Sequence, residues 1–457
     1  MLTSTNPATG EQVAAYDEHT ADEVVAFVEQ ADARQRAWRR SGFDERATML
    51  RTVADRLDAR TDELAELMAL EMGKPVTAGR SEVEKCAWVC RYYADHGEGH
   101  LADIPVDADR QRSYIHHEPL GVVLAVMPWN FPLWQVFRFA APALMAGNAG
   151  LLKHASNVTG CSVAIEELFV EGGAPEGLFR SLKIGSKHVA SVLEHRLVRA
   201  ATLTGSVPAG SAVAKTAGRL LKKTVLELGG SDPYVVLEDA DIDAAAKTCA
   251  TSRLINAGQS CIAAKRFIVV DEVHDRFVEA FVGHMEAAVV GDPLDEATTV
   301  GPQAQVSLRD ELHDQVERSI AAGAHLALGG VIPTQAGAWY PPTVLTGVTT
   351  DMPAAQEELF GPVAAVLRAR DEAHAIEIAN DSDFGLGAAV FTADLERGER
   401  IAAEQLEAGC CFVNDFVASD PRLPFGGIKD SGYGRELSHL GIREFVNQKT
   451  VVVGPKQ

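Results

Sequence analysis

AATLTGSVPAGSAVAKTAGRLLKKTVLEL occupies residues 200–228 and decides the fold of this chain. Two short runs with strand-type composition, Ala200–Leu203 and Thr224–Leu228, flank a segment that we predict as a helix, Val207–Leu221. A helix between two strands carries the chain back across the sheet, so the two strands run parallel. The stretch therefore predicts a βαβ unit, with a turn at Gly205 where the first strand meets the helix.

The same alternation of strands and helices continues on both sides of this unit. Further predicted strands are Gly121–Val126, Gly150–Lys153, Ser181–Ile184, Tyr234–Leu237, Phe267–Val270, Ala364–Leu367 and Gly387–Phe391, and further predicted helices are Thr159–Glu171 and Val189–Glu194. We predict an α/β fold: a doubly wound, Rossmann-like parallel sheet with helices on both faces, followed by a second α/β domain. Sheets of this kind bind ligands beyond the carboxyl ends of their strands.

The two ends of the chain depart from this pattern. The first 100 residues are predicted to be mainly helical, with one helix over residues 44–72 and another over residues 80–96. Ser113–His117 is a predicted strand. Thr450–Val453 is a short β-type run that could extend a sheet, including a sheet of another subunit.

The composition is that of a globular protein with an acidic surface. Hydrophobic residues make up 46% and charged residues 23% of the 457 residues, which excludes a wholly disordered chain. With 42 basic and 64 acidic residues the net charge is −22. Because such a surface repels nucleic acids and anionic membranes, we predict neither as a partner.

The sequence also predicts a cytoplasmic protein without a metal site. Residues 1–16 are polar and lack the apolar core of a signal peptide, and no run of 18 apolar residues is present to span a bilayer. The seven cysteines are scattered, with no CxxC motif and no His-rich tract. They therefore predict neither a disulfide framework nor a metal centre.

Four short segments carry candidate chemistry, and the first ends in a thiol. Residues 256–261 read NAGQSC, in which Gly258 permits a tight backbone path just before Cys261. A thiol is nucleophilic only as the thiolate, and backbone N–H groups at a helix start would lower its pKa. Cysteines in loops are more often structural than catalytic, so this interpretation depends on the other three segments.

The second and third segments supply a carboxylate and an amide. Glu227 lies between two leucines at the end of a predicted strand, where burial would raise its pKa toward that of a general base; a solvent-facing glutamate is the alternative. In MPWNFP, residues 127–132, two prolines fix the turn that carries Asn130. The amide of Asn130 could donate to a developing oxyanion, and a purely structural turn is the alternative.

The fourth segment, LTGSVPAG at residues 203–210, joins a predicted strand to a predicted helix. Helix N-termini bind phosphate through their free N–H groups and the helix dipole. The segment matches neither the GxGxxG pattern nor the P-loop pattern, so its place in the βαβ unit is what indicates a nucleotide site.

Together these four segments resemble the NAD(P)-dependent aldehyde dehydrogenase superfamily. The resemblance spans nearly the whole chain and includes three further motifs in order: NPATG at residues 6–10, EELFGP at 357–362 and PFGGIKDSGYG at 424–434. Within the superfamily, LLKH at residues 151–154 and KIGSKH at residues 183–188 are similar to the bacterial succinate-semialdehyde dehydrogenase group.

The resemblance implies a thioester mechanism. Cys261 would attack an aldehyde carbonyl, and the Asn130 side chain and the Cys261 backbone N–H would hold the oxyanion. Hydride would leave to the nicotinamide, and Glu227 would activate the water that hydrolyses the thioester. The implied reaction is oxidation of a small aldehyde, succinate semialdehyde to succinate, with NADP or NAD. The alternatives are another aliphatic or ω-carboxy aldehyde, a cofactor-independent cysteine hydrolase, and a non-catalytic binding protein.

The same resemblance assigns the cofactor contacts position by position. The implied contacts are Trp129 and Asn130 beside the nicotinamide, Lys153 at the adenosine ribose or a 2′-phosphate, Gly205 and Ser206 at the pyrophosphate, Leu228 in the nicotinamide pocket, Glu358 at the nicotinamide ribose, and Phe360 nearby. Many NAD-specific relatives have a glutamate where this chain has Ser156. A carboxylate there would repel a 2′-phosphate and a hydroxyl would not, so we expect a preference for NADP.

The resemblance also implies how the substrate is held. Arg138 lies eight residues after Asn130, where related enzymes have an arginine for the distal carboxylate; a salt-bridge or interface arginine is the alternative. Ile255 stands where some relatives have a second arginine. We therefore expect Arg138 to act with Ser419 from the loop before Pro424.

Three units of the chain are expected on the same basis. They are a cofactor-binding domain at residues 1–102 and 121–229, a catalytic domain at 230–435, and a small β oligomerisation segment at 103–120 and 436–457. The implied assembly is a homodimer or a homotetramer, and the implied partner is a small aldehyde.

Overall fold

The computed structural model of the protein describes residues 1–454, so residues 455–457 of the predicted segment 436–457 lie outside the described residues. None of the helices in this range is long and apolar enough to cross a membrane. The helices are α1 Ala21–Trp38, α2 Phe43–Ala59, α3 Thr61–Met72, α4 Val76–Leu101, α5 Trp134–Met145, α6 Thr159–Glu171, α7 Val189–Glu194, α8 Val207–Arg219, α9 Ile242–Leu254, α10 His274–Glu286, α11 Val306–Ala321, α12 Pro353–Gln356, α13 Glu372–Asn380, α14 Leu395–Glu404 and α15 Ser438–Ile442. Short 3₁₀ helices lie at Ser156–Val158, Ser186–His188 and Ile255–Gly258.

The strands of the described residues are β1 Leu2–Thr5, β2 Gln12–Tyr16, β3 Ile104–Pro105, β4 Arg112–Pro119, β5 Val122–Met127, β6 Ala149–His154, β7 Phe179–Ser181, β8 Val198–Thr204, β9 Lys223–Glu227, β10 Pro233–Val236, β11 Arg266–Val270, β12 His325–Leu328, β13 Thr343–Thr346, β14 Val363–Ala369, β15 Phe384–Gly385, β16 Gly387–Phe391, β17 Cys410–Val413, β18 Ile428–Lys429, β19 Gly432–Tyr433 and β20 Val446–Val453.

The βαβ unit belongs to a doubly wound sheet. Within residues 1–454 this sheet has six strands in the order β19-β9-β8-β5-β6-β7, parallel except for β19. The chain runs outward from β5 to β7, then crosses to β8 and β9 on the other side of β5. The predicted α/β class and doubly wound sheet are confirmed. The reversal between β5 and β8 marks the place where sheets of this kind bind ligands.

The sequence of β5 explains why this sheet is buried on both faces. Val122, Val123, Leu124 and Ala125 are completely inaccessible to solvent, as expected for a strand covered on both sides. Helices α5 and α6, which also contact α2, pack on the sheet, and so do α7 and α8. The resulting core is one continuous apolar cluster that fixes the sheet relative to its helices.

A second parallel sheet follows in the chain. Within the described range its order is β12-β13-β14-β11-β10-β16-β17, and β12 alone is antiparallel to its neighbour. Its core is a separate apolar cluster that includes Tyr234 and Phe267. The predicted second α/β region is thus confirmed as a sheet with its own core.

A small antiparallel sheet joins two distant segments of the chain. Its order is β20-β4-β3, and Val446 to Val453 pair with Pro119 to Arg112 of the same chain. The predicted segments 103–120 and 436–457 therefore meet. Gly432 and Tyr433, which the predicted catalytic domain includes, pair with β9 of the first sheet instead.

Two predicted elements differ from the observed ones. The predicted helix 44–72 is two helices, because Arg60 leaves the helical conformation (φ −110°, ψ 19°) and the Thr61 hydroxyl donates to the carbonyls of Leu57 and Asp58. The strand predicted at Ser181–Ile184 lies earlier, at β7. The chain leaves the sheet there because Lys183 hydrogen-bonds with His19 instead of a neighbouring strand.

Candidate active site

The loop that carries Cys261 has an unusual backbone. Asn256 and Ala257 adopt left-handed conformations (φ 55° and 54°), and Gly258 follows with φ 73°. A side chain at position 258 would overlap the carbonyl group of Gly361, so the loop approaches the 357–362 segment as closely as glycine allows. Strained non-glycine residues of this kind persist only where the surrounding structure holds them, and they concentrate at functional sites.

Asn130 and the Cys261 loop are joined by hydrogen bonds. Asn130 Nδ2 donates to the Gln259 carbonyl at 3.0 Å, and Asn256 Nδ2 donates to the Asn130 carbonyl at 2.7 Å. Asn130 is buried. The predicted turn at residues 127–132 and the thiol loop therefore form one unit, which places an amide N–H donor beside the thiol loop.

Lys265, which the sequence analysis missed, holds the same loop from the other side. It is completely buried, and its ammonium group donates to the carbonyls of Ser260 (2.7 Å) and Cys261 (2.6 Å). It also pairs with Glu358 at 3.3 Å, and Glu358 accepts a further hydrogen bond from the Gly230 N–H at 3.0 Å. The signal in the sequence was two basic residues, Lys265 and Arg266, directly before the apolar run Phe267–Val270, with Lys265 four residues after the thiol.

The surroundings of Cys261 favour the protonated thiol. Burial raises its pKa to about 12, although the nearby charges of Lys265 and Arg138 act in the opposite direction. Cys261 lies in a turn and not at a helix start, so the N–H cluster considered from the sequence does not lower its pKa. The thiol therefore has to lose its proton during any reaction in which it acts as a nucleophile.

Glu227 lies at the end of β9 and is 2% exposed. The alternative of a solvent-facing glutamate is therefore wrong. Within residues 1–454 neither of its carboxyl oxygens has a hydrogen-bond partner. Burial and the neighbouring Glu436 carboxylate raise its pKa well above the usual range, and the Arg138 and Arg435 charges reduce this shift. A carboxyl group of this kind can accept a proton near neutral pH.

Arg138 forms a buried ion pair with Glu436, a residue that the sequence analysis missed. Both side chains are almost fully inaccessible, and the guanidinium carbon also lies 4.8 Å from the centre of the Phe425 ring. The salt-bridge alternative for Arg138 is therefore present in the structure. Glu436 lies two residues after the 424–434 motif, which was the available signal.

A cavity of about 860 Å³ opens beside Cys261. The predicted residues Arg138 and Ser419 lie in its wall, together with Lys85 from α4, which the sequence analysis did not select. Aromatic and aliphatic side chains form much of the remaining wall: Phe131, Trp134, Leu254, Ile255, Ile262, Phe416, Val417 and Phe425. The cavity thus combines an apolar passage with cationic groups near one thiol.

The remaining predicted residues lie along the carboxyl edge of the first sheet. The ends of β6, β5, β8 and β9 are neighbours there. Met127 at the end of β5 pairs with His154 of β6, and Thr204 at the end of β8 pairs with Glu227 of β9. This edge brings together the segments that carry Trp129, Lys153, Ser156, Gly205, Ser206 and Leu228. The Trp129 and Phe360 rings are perpendicular, with their centres 5.7 Å apart, so the 357–362 segment reaches the same edge.

The edge has two features that suit an anionic nucleotide. Ser206 is the N-cap of α8 but makes no side-chain cap hydrogen bond, so the first N–H groups of this helix have no side-chain acceptor there. Lys153 is buried, its pKa is lowered by burial, and it has no ion-pair partner within residues 1–454. Gly210 lets α8 approach Leu228, where any side chain would overlap. An anionic dinucleotide fits this edge, because its phosphate groups would satisfy both features.

The fold and site together define an α/β protein with a nucleotide-type sheet edge next to a half-buried thiol and a buried amide and carboxyl group. The model of the aldehyde dehydrogenase family matches residues 1–451. The chain belongs to the aldehyde dehydrogenase family.

Individual relatives are similar over their whole length. One relative is the NADP(+) succinate-semialdehyde dehydrogenase of Mycobacterium avium (strain 104). It is 51% identical to this chain over 457 residues, which cover 99% of this chain and 97% of that protein. The succinate semialdehyde dehydrogenase of Escherichia coli (strain K12), named with NAD(P)+, is 48% identical over 98% of this chain and 97% of its own length. The crystal structure of succinic semialdehyde dehydrogenase from Streptococcus pyogenes in complex with NADP+ superposes with a TM-score of 0.97 at 39% identity, covering 100% of both chains.

Proposed function

We propose that the protein oxidises succinate semialdehyde to succinate and transfers the hydride to NADP or NAD. One observation carries the proposal: Asn130 is hydrogen-bonded to the Cys261 loop. This unit lies between the cavity with its cationic groups and the carboxyl edge of the first sheet. The names of the Mycobacterium avium and Escherichia coli relatives support the same substrate.

The chemistry begins at Cys261. Its sulfur forms a bond to the aldehyde carbon as the thiol proton passes to water in the cavity, and the carbonyl oxygen becomes an oxyanion that accepts from Asn130 Nδ2 and the Cys261 N–H. To do so, Asn130 Nδ2 exchanges its bond to the Gln259 carbonyl for one to the oxyanion. The bound dinucleotide supplies the hydride acceptor. A tetrahedral carbon can release hydride whereas the planar aldehyde carbon cannot, which is why a covalent nucleophile is required.

Glu227 completes the reaction. Loss of hydride leaves a thioester on Cys261, and a water molecule gives a proton to the Glu227 carboxylate as its oxygen attacks the thioester carbon. The carbon–sulfur bond then breaks, the acid is released, and the thiolate takes up the proton that Glu227 received from water. The unpartnered oxygens of Glu227 support this role, because no protein donor competes with water for them in the described range.

The cofactor preference is proposed to be NADP over NAD. Lys153 can attract a 2′-phosphate, and Ser156 can hydrogen-bond with it where a carboxylate would repel it. Gly205 and Ser206 would face the pyrophosphate, Leu228 would line the nicotinamide pocket, and Glu358 would contact the nicotinamide ribose. For Glu358 this contact requires that its bonds with Lys265 and Gly230 be shared or exchanged.

Arg138 and Ser419 are proposed to hold the distal carboxylate of the substrate. Both lie in the cavity wall, and a protein with a net charge of −22 needs a local cation to attract an anionic substrate. A cysteine hydrolase is less well supported, because no histidine in the described residues hydrogen-bonds with the Cys261 thiol.

Assembly and location complete the proposal. We keep the division into a cofactor-binding unit, a catalytic unit and an oligomerisation segment, with the β20-β4-β3 sheet as the surface of a homodimer or homotetramer. All seven cysteines are free, including the adjacent Cys410 and Cys411, which supports a reducing compartment such as the cytoplasm.

The test is direct. The purified protein is incubated with succinate semialdehyde and NADP, and reduced cofactor and succinate are measured together. We expect the two products in equal amounts. The proposal is wrong if reduced cofactor forms with other aldehydes but not with succinate semialdehyde.

A further inference from the structure

Lys85 reaches into the cavity from α4 and is fixed there by two neighbours. Its ammonium nitrogen donates to the Ser419 hydroxyl at 2.9 Å and lies 4.6 Å from the centre of the Trp134 indole ring. Ser419 belongs to the loop after β17 and Trp134 to the first turn of α5. Three elements therefore place this cation at one position in the cavity wall.

The other cations of the cavity interior already have carboxylate partners. Lys74 forms an ion pair with Glu82, and Arg138 forms one with Glu436. Glu82 Oε1 also accepts from the N–H groups of Leu133 and Trp134, each at 2.9 Å, so both of its carboxylate oxygens have partners. In the part of the chain that the structure describes, Lys85 has no carboxylate within ion-pair distance.

The nearest carboxylate on the facing loop is also occupied. Asp420 accepts from the Arg422 side chain at 2.9 Å and from the Arg422 backbone N–H at 2.8 Å. Lys85 therefore keeps two of its three N–H donors after bonding to Ser419. A partly buried ammonium group with unused donors has lost hydration without gaining a counter-ion, which an anionic ligand would correct.

We infer that Lys85 binds the distal carboxylate of the aldehyde substrate, between Ser419 and Arg138. The inference rests on the proposed function for the identity of the substrate. It makes Lys85 the residue that selects ω-carboxy aldehydes over neutral ones, because its charge is not offset by a protein carboxylate. Arg138, whose charge is largely offset by Glu436, then contributes mainly hydrogen-bond donors.

Because Lys85 gains and loses a proton, the inference also predicts that affinity for an acidic substrate depends on pH. Burial and the charge of Arg138 lower its pKa to about 8, against the opposite influence of Cys86, Asp420 and Glu82. A lysine must be protonated to bind a carboxylate, so affinity for an acidic substrate is full below about pH 8 and falls above it. An arginine at this position would stay charged throughout.

The experiment compares Lys85→Met with Lys85→Arg and with Lys247→Met. Lys247 is the matched control, because it is an exposed lysine at the rim of the same cavity. For each protein kcat/KM is measured with succinate semialdehyde and with butanal, which has the same chain length without the carboxylate. We expect the ratio of kcat/KM for succinate semialdehyde over that for butanal to fall about tenfold or more in Lys85→Met, because KM for the acid rises. In Lys85→Arg and Lys247→Met we expect this ratio to fall about threefold or less. We also expect KM for the acid to rise with pH through about 8 in the wild type, and to rise less in Lys85→Arg.

An unchanged acid-to-neutral ratio in Lys85→Met overturns the inference, whether neither kcat/KM value changes or both fall equally, as a merely structural role would give. Failure of the proposed function looks different. If the wild type oxidises glutarate semialdehyde but not succinate semialdehyde, the proposed substrate is wrong, and the same ratio measured with glutarate semialdehyde still tests Lys85. If the wild type prefers butanal to both acids, both proposals are wrong.

Discussion

Lys265 beside the thiol loop and Glu227 at the end of β9 are both buried ionisable groups, and they differ in how well their polar atoms are satisfied. Lys265 uses its ammonium group on two loop carbonyls and on Glu358. Glu227, on the first sheet, has two buried carboxyl oxygens with no hydrogen-bond partner in residues 1–454. Burying an unsatisfied polar group costs stability, so a protein retains one where it serves a reaction. The difference supports the proposal that Glu227 takes part in the chemistry, whereas Lys265 supports the loop.

Replacement of Glu227 by Gln is expected to have the largest effect. Because the amide cannot accept a proton from water, acylation should survive and deacylation should stall, with a loss of about 10²–10⁴ in steady-state turnover. Rapid mixing with aldehyde and NADP should show a burst of reduced cofactor without steady turnover. The folded state should lose little stability, since no hydrogen bond is removed. Unchanged steady-state turnover would place the general base elsewhere.

Replacement of Lys265 by Met, unlike replacement of Glu227, should lower the stability of the folded protein. It leaves Glu358 and the carbonyls of Ser260 and Cys261 without their buried partner, which typically costs about 3–5 kcal/mol. Urea denaturation measures the free energy of unfolding, and Lys247→Met, an exposed lysine, serves as the control with a change within about 0.5 kcal/mol. If Lys265→Met were as stable as the control, the loop would not depend on Lys265.

Replacement of Asn130 by Ala tests the donor that joins the two regions. Losing one oxyanion donor costs about 2.7–4 kcal/mol in the transition state, so turnover should fall by about 10²–10³. Circular dichroism and the unfolding midpoint serve to show that the fold persists. Near-normal turnover in a folded Asn130→Ala protein would remove Asn130 from the mechanism.

Replacement of Ser156 by Glu should have the smallest effect of the four. A carboxylate beside Lys153 repels a 2′-phosphate, so the ratio of kcat/KM for NADP over that for NAD should fall about tenfold. Ser156→Ala is the matched control, because it removes the hydroxyl without adding charge. An unchanged ratio in Ser156→Glu, or a wild type that prefers NAD, would contradict the proposed cofactor preference.

The sequence predicted the sheets and the candidate segments because both depend on local patterns. The apolar run of β5 and the strand–helix–strand spacing around Gly205 are properties of neighbouring residues. Lys265 could not be selected in this way, since its importance comes from carbonyl groups that the fold turns toward it.

The sequence also could not predict which charged residues form ion pairs. Arg138 and Glu436 are almost 300 residues apart in the chain, so only the fold brings them together. For the same reason the sequence could not show that Arg138 is offset by a carboxylate while Lys85 is not. Tertiary contacts decide which of several cations stays available to a ligand, and composition does not.

The central claim is that Cys261 carries the acyl group which Glu227 then helps to release. The most direct measurement is the intact mass of the Glu227→Gln protein after one turnover with succinate semialdehyde and NADP, followed by peptide mapping. We expect an added succinyl group on the peptide that contains Cys261, and none in a Glu227→Gln, Cys261→Ala double variant. Full formation of reduced cofactor by that double variant, or acylation at another residue, would contradict it.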